Sequence, residues 1–160
     1  MIEWGSRRPE LPWREAVPEQ PVRTRVSAYA IARTDGQLLL TRLSDASPVF
    51  EPGSWHLPGG GIDPGEQPAE ALARELREET GLELLDARLL EARTYTAHRL
   101  GVSWHLVGLF HLVRLAPGPL TVTEQDGSTS AARWIPLSEL AEPSGPRLSP
   151  ATADALRMLA

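Results

Sequence analysis

A single α/β domain is the fold class this sequence predicts, and three stretches predict it. Residues 23–44, RTRVSAYAIARTDGQLLLTRLS, hold two β-rich runs joined at Asp35-Gly36, a strong hairpin signal. Residues 68–80 read as one amphipathic helix, with Pro68 suited to a first helical position and Gly81 to a C-terminal cap. Two further β-prone runs follow, LLDARLLEARTYTAHRL over residues 84–100 and VSWHLVGLFHLVRL over residues 102–115. A chain of 160 residues suits one domain around one core.

In order, residues 1–21 carry Pro9, Pro12, Pro18 and Pro21 with little periodicity, which predicts an extended N-terminal arm ahead of a domain over 22–160. Strands are expected near 24–33 and 37–43. The stretch SDASPVFEPGSW is rich in turn residues and reads as a surface loop, feeding HLPGGG, a short strand and glycine turn. The two runs after the helix are apolar on both faces near their middles, as expected for strands covered on two sides. APGPLTVTEQDGSTSAAR reads as a polar loop with a short strand, WIPLSEL resumes apolar character, and SPATADALRMLA reads as a terminal helix capped by Ser149 with Pro150 at its first position.

Composition narrows the function classes. No apolar run approaches the roughly 18 residues of a membrane helix, and the N-terminus lacks the apolar stretch of a secretory signal. With no cysteines, there is no disulfide framework, and a cytoplasmic protein is the expectation. A net charge of -5 argues against a nonspecific nucleic-acid surface. All 16 basic residues are Arg, which suits bidentate phosphate contacts, although a coding bias explains it more simply.

The helix region is where the sequence carries chemistry. Between residues 59 and 84 stand Asp63, Glu66, Glu70, Glu75, Glu78, Glu79 and Glu83. At helical spacing Glu75, Glu78 and Glu79 share an arc of about 100°, while Ala69, Leu72 and Leu76 occupy the neighbouring, buried arc. Three carboxylates at the edge of a core repel one another and raise one another's proton affinities unless a cation neutralises them. A solvated acidic face with ion pairs from Glu70 to Arg74 and from Arg74 to Glu78 is the bland alternative. The preceding turn shifts the balance: Gly59, Gly60, Gly61 and Gly65 permit close approach of a phosphate-bearing ligand. A glycine-rich loop opening onto clustered carboxylates suits Mg2+, which combines a few carboxylates with water and substrate phosphate oxygens.

Gly60, then Glu66 after five residues, then Arg74-Glu75-Leu76-Arg77-Glu78-Glu79-Thr80-Gly81-Leu82 after seven more, resembles the complete Nudix box with every fixed position filled. The resemblance to Nudix (MutT-like) hydrolases implies an α/β/α sandwich with a mixed β-sheet and hydrolysis of a diphosphate linkage in a nucleoside diphosphate derivative or nucleoside triphosphate. It implies Mg2+, with Mn2+ as a substitute, held by Glu75, Glu78 and Glu79. It gives Glu78 or Glu75 as the base and Arg74 as the residue that orients the carboxylates. Glu66 is expected as an outer-sphere ligand, or as a charge at the helix N-terminus. Gly59, Gly60 and Gly61, together with Phe50 and Trp55 on the preceding loop, are the expected substrate contacts.

Some features depart from the resemblance. Many members bring a further carboxylate from a late loop, but Ala131 and Ala132 stand where it is expected, leaving Glu124 and Asp126 as alternatives. Trp104 in an apolar strand reads as core. His98, His105 and His111 lack metal-ligand spacing and read as structural, with His98 near enough to a strand end to touch substrate. A catalytically idle nucleotide sensor is the alternative function; it would be expected to lose a box carboxylate, and none is lost. Trp4 and Trp13 in a Pro-rich arm need an apolar partner surface, on the domain itself or on a second copy of it, and a homodimer is the preferred expectation.

Overall fold

A computed structural model of the chain describes residues 21–160. The arm expected over 1–21, with Trp4 and Trp13, therefore lies outside the described residues except for Pro21.

The first sheet is mixed. β1 (Val22–Ile31) pairs antiparallel with β5 (Gly59–Gly61) on one side and parallel with β7 (Val102–Leu115) on the other, and β6 (Leu84–Arg99) pairs antiparallel with β7 at the edge. A second sheet joins β2 (Arg33–Thr34), β3 (Gln37–Leu43) and β4 (Trp55–His56), with β8 (Thr129–Pro136) on the free side of β3. α1 spans Pro68–Thr80, α2 Leu137–Ala141 and α3 Pro150–Met158.

The period-two alternation of β1 explains the layering. Ala28, Ala30 and Ala32 face one way and pack with Ala71, Leu72 and Leu76 of α1. Tyr29 and Ile31 face the other way and join Leu106, Phe110 and the α3 residues Ala151 and Ala155. The sheet thus lies between two helices, and the alanines let α1 approach closely. α1 begins at Pro68, with the Gln67 N–H donating to Glu70 at 2.7 Å, and ends at Gly81 with φ of 74° and its N–H on the Arg77 carbonyl.

The Asp35-Gly36 turn forms with positive φ at both residues, 48° and 73°. The strand expected over 24–33 is nevertheless not continuous. It ends at Ile31, and Arg33–Thr34 crosses to the second sheet, with the Ala32 carbonyl accepting from Leu39 at 3.0 Å. β6 corrects a second expectation: it is an edge strand and largely exposed, whereas β7 inside the sheet is mostly half-buried or buried. An apolar, β-prone run does not say which strand has a neighbour on its far side. The short strand expected in the late polar region begins at Thr129, after an irregular segment laid along α1 through Thr121 and Thr123 amides on the Thr80 and Glu78 carbonyls.

Candidate active site

The glycine row is built by close contact. Gly59 has φ of 137°, and a Cβ there would run into the Ala28 carbonyl. A Cβ on Gly60 would stand 2.6 Å from Glu75 Oε1, and one on Gly61 would stand 2.9 Å from an Arg25 nitrogen. The row thus admits a carboxylate and a guanidinium against bare backbone.

Arg74 organises the carboxylates. Its Nε and Nη2 donate to the two oxygens of Glu66, each at 2.9 Å, its Nη1 donates to Glu75 Oε1 at 2.9 Å, and Nη2 also reaches the Gly61 carbonyl at 3.1 Å. Glu78 lies 3.6 Å from Nη1. The fork on Glu66 is bidentate, and together with the Asp63 amide it holds Glu66 down to about 2. Glu66 is thus engaged by Arg74, and Glu70 bonds the Gln67 N–H; no ion pair forms between Glu70 and Arg74 among the described residues, while that between Arg74 and Glu78 does form.

The three helix carboxylates differ sharply in environment. Glu79 is 2% exposed, accepting from the Gly59 N–H at 2.9 Å and from the Thr129 hydroxyl at 2.7 Å. Burial pushes its carboxyl up to about 8 against those two donors, with Glu75 and Glu124 adding to the rise. Glu75 is raised mainly by burial, opposed by Arg74 and reinforced by Glu78 and Glu124. Glu78 is the outermost, with 36% of its side chain exposed. One buried and one half-buried carboxyl with raised proton affinity, and one guanidinium among them, are short of positive charge.

That shortage is the physical fit to a divalent cation: hard carboxylate oxygens, excess negative charge, and no cysteine in the chain. Among the described residues no three His, Asp or Glu side chains are gathered as closely as a metal site requires. Glu75 faces Arg74, and Glu79 is held by Gly59 and Thr129.

The late loop supplies something other than the expected position. Ala131 and Ala132 are paired with Arg42 and Thr41 in the β8–β3 ladder. Glu124, from the segment bonded along α1, raises both Glu75 and Glu79, whereas Asp126 occupies a turn with φ of 57°. Thr129, which positions Glu79, carried no sequence signal.

Beside the carboxylates, a cleft of about 40 Å³ is lined by Arg25, Ser27 and Tyr29 of β1, by Phe50 and His56, and by Gly59, Gly60 and Glu79. Arg25, Ser27 and Tyr29 stand on alternate residues and so share one face. Polar residues at that parity were a readable signal of a cleft wall. The Ser27 hydroxyl is buried without a hydrogen-bond partner among the described residues. Burial pushes the Tyr29 phenol up to about 12 and holds the His56 imidazole down to about 3, so both side chains are uncharged at physiological pH. Phe50 lies in this wall, tilted against His56 with centroids 5.0 Å apart. Trp55 does not line the cleft: it packs against the core, pairs with Leu148 and lies under the Arg133 guanidinium at 5.8 Å. The loop over the cleft is tied by Arg99, which donates to the Ser47 carbonyl at 2.7 Å and the Asp45 carbonyl at 3.0 Å. His98 is exposed and meets Ser103, His111 is buried, and Trp104 packs against the core, its Nε1 unpaired among the described residues. No helix among the described residues is long and apolar enough to cross a membrane.

Comparison with known proteins agrees with this geometry. The NUDIX domain family profile matches residues 21–155. A nucleoside triphosphatase NudI of Escherichia coli O1:K1 is 47% identical over 64 residues, a span of 40% of this chain and 45% of that protein. The chain thus aligns with less than half of that relative's length. The crystal structure of a MutT NUDIX hydrolase from Burkholderia pseudomallei superposes with a TM-score of 0.70 at 32% identity, covering 86% of this chain and 99% of that one. The solution structure of the E. coli ORF135 protein gives 0.56 at 28% identity, covering 86% and 89%. A filled box on a carboxylate helix, the sheet between two helices, and a profile match over most of the chain lead to one conclusion: this chain belongs to the Nudix hydrolase family.

Proposed function

We propose that this Nudix hydrolase is a Mg2+-dependent pyrophosphohydrolase that cleaves a diphosphate linkage in a nucleoside triphosphate or nucleoside diphosphate derivative, with Mn2+ as a substitute ion. The observation that carries the reading is the pair of carboxyls with raised proton affinity against the glycine row, Glu75 half-buried and Glu79 buried. Glu75, Glu78 and Glu79 would hold the ion, with Glu124, whose charge raises both Glu75 and Glu79, as a further candidate. The ion, when bound, offsets phosphoryl charge and acidifies a water. Arg74 keeps Glu75 aimed across Gly60. Glu78, exposed and more loosely held by Arg74 than Glu75 is, takes the proton as water oxygen bonds to phosphorus and the bridging P–O bond breaks. Arg25, set over Gly61 at the mouth of the cleft, supplies a guanidinium for a substrate phosphate. The resemblance to a nucleoside triphosphatase over 64 residues favours a triphosphate within this class.

A nucleotide-binding sensor is the second reading, favoured by one observation: the carboxylates are not gathered into a metal site among the described residues. The deciding experiment measures phosphate and pyrophosphate release from nucleoside triphosphates, nucleotide sugars, ADP-ribose, coenzyme A and dinucleoside polyphosphates, with Mg2+ or EDTA. Metal-dependent turnover that Glu78→Gln abolishes supports the hydrolase. Tight nucleotide binding without turnover across the panel overturns it in favour of the sensor.

A further inference from the structure

Among the described residues, β6 has a hydrogen-bonding partner on one side alone. It is 16 residues long, and Leu85, Leu89 and Leu90 are 52%, 55% and 38% exposed. A long, unpaired edge with exposed leucines is a template for another strand. β6 also carries two register shifts against β7, between Leu84 and Asp86 and between Leu89 and Glu91, which leave Leu85 and Leu90 as bulged residues.

The second bulge has a definite effect on the charges. Across the ladder, Asp86 stands opposite Arg114, Arg88 opposite Leu112, Glu91 opposite Phe110 and Arg93 opposite Gly108. Those β7 residues alternate by two and share one face, so their cross-strand partners share it as well. Without the bulge, Arg88 and Glu91 would point to opposite faces. With it, Asp86, Arg88, Glu91 and Arg93 form one row, on the side where Arg93 reaches Asp154 of α3 at 3.9 Å.

That row is self-complementary when read against itself in reverse. Set a second copy antiparallel, with Leu89 opposite its Leu90. Arg88 then meets Glu91 of the second copy, Asp86 meets its Arg93, and Ala87 meets its Ala92. Each contact occurs twice, as a two-fold axis requires. Every facing charged pair is of opposite sign, and a slip by two residues sets Arg88 against Arg93.

We propose that the free edge of β6 is the contact surface for a second copy of this chain, paired antiparallel about a two-fold axis between Leu89 and Leu90. Backbone hydrogen bonds supply the attachment, the charged row sets the register, and the exposed leucines are covered on the opposite face. The paired bulges, which turn the edge away from a regular strand, follow the same path in both copies. The arrangement is independent of substrate and metal, so its failure would leave the hydrolase reading untouched.

The test uses the full chain and sedimentation equilibrium over a dilution series. Wild type is expected to dimerise reversibly. Arg88→Glu and Glu91→Arg each place two like-charged pairs across the axis and should weaken dimerisation by about tenfold or more. Mixed together, the two variants bring four acidic and basic side chains into two pairs of opposite sign across the axis. They should form a heterodimer that neither variant matches alone, and the double reversal in one chain should restore the homodimer. A wild type that stays monomeric throughout, or a dimer that survives both single reversals, as contact through the N-terminal arm would give, overturns the proposal. So does a mixture of the two variants that does not associate.

Discussion

Replacing Glu79 with Gln would reveal how much folding free energy the site withholds from the metal-free protein. Burial holds the Glu79 carboxyl up to about 8 in the folded chain, while an unfolded Glu titrates near about 4.3. Between those values the folded protein keeps a proton that the unfolded chain has released. Metal-free stability therefore falls as pH rises through this window, and levels off above pH of about 8. At about 1.4 kcal/mol per unit, the whole window amounts to an upper bound of about 5 kcal/mol. The Gln amide matches the carboxyl in shape, can accept from Gly59 and donate to Thr129, and does not titrate. Urea denaturation in EDTA should give variant and wild type similar stability near about pH 5, and a variant more stable by a few kcal/mol near about pH 8.5. Parallel stability curves across that range would refute the burial argument. The same logic predicts that Mg2+ stabilises wild type in urea and barely affects the variant.

Four further outcomes follow from the packing and the site. Glu78→Gln should leave urea denaturation nearly unchanged while turnover on the best substrate falls by orders of magnitude; a severe loss of stability would instead make Glu78 structural. Leu76→Ala, at a fully buried position under the sheet, should cost about 2 to 5 kcal/mol in the same denaturation assay. Thr129→Val removes the hydroxyl that donates to Glu79 and should weaken Mg2+ binding measured calorimetrically, with Thr129→Ser restoring it. His56, held down to about 3 by burial, should keep neutral imidazole shifts by NMR at about pH 5, and stability should fall with acid from the unfolded value of about 6.5 downward as the unfolded chain takes up the proton.

The box was legible because its chemistry is local. Pro68, Gly81 and the 3.6-residue phase of Leu72 and Leu76 place α1, and from α1 follow the relative positions of Arg74, Glu75, Glu78 and Glu79. The strand break at Ala32 was not legible: both sides of it are β-prone, and a change of sheet leaves no mark in composition. The exposure of β6 was hidden for a related reason, since an edge is defined by the lack of a neighbouring strand, and none pairs with the outer side of β6 among the described residues. Thr129 touches Glu79 across 50 residues, and contacts of that separation depend on the whole topology. Trp55 illustrates the converse: two residues of β4 point to opposite faces, so His56 enters the cleft wall while Trp55 turns away.

The glycine row also sets what this enzyme can become. At Gly59 an added methyl group meets the Ala28 backbone, which cannot yield, whereas at Gly60 and Gly61 it meets the ends of the Glu75 and Arg25 side chains, which can swing aside. In a saturation library the three neighbouring codons should therefore diverge, with the first lost through misfolded protein and the other two surviving as folded chains with a displaced carboxylate or guanidinium. The route to altered activity in descendants of this chain runs through the second and third positions, where a mutation is selected on chemistry rather than on folding.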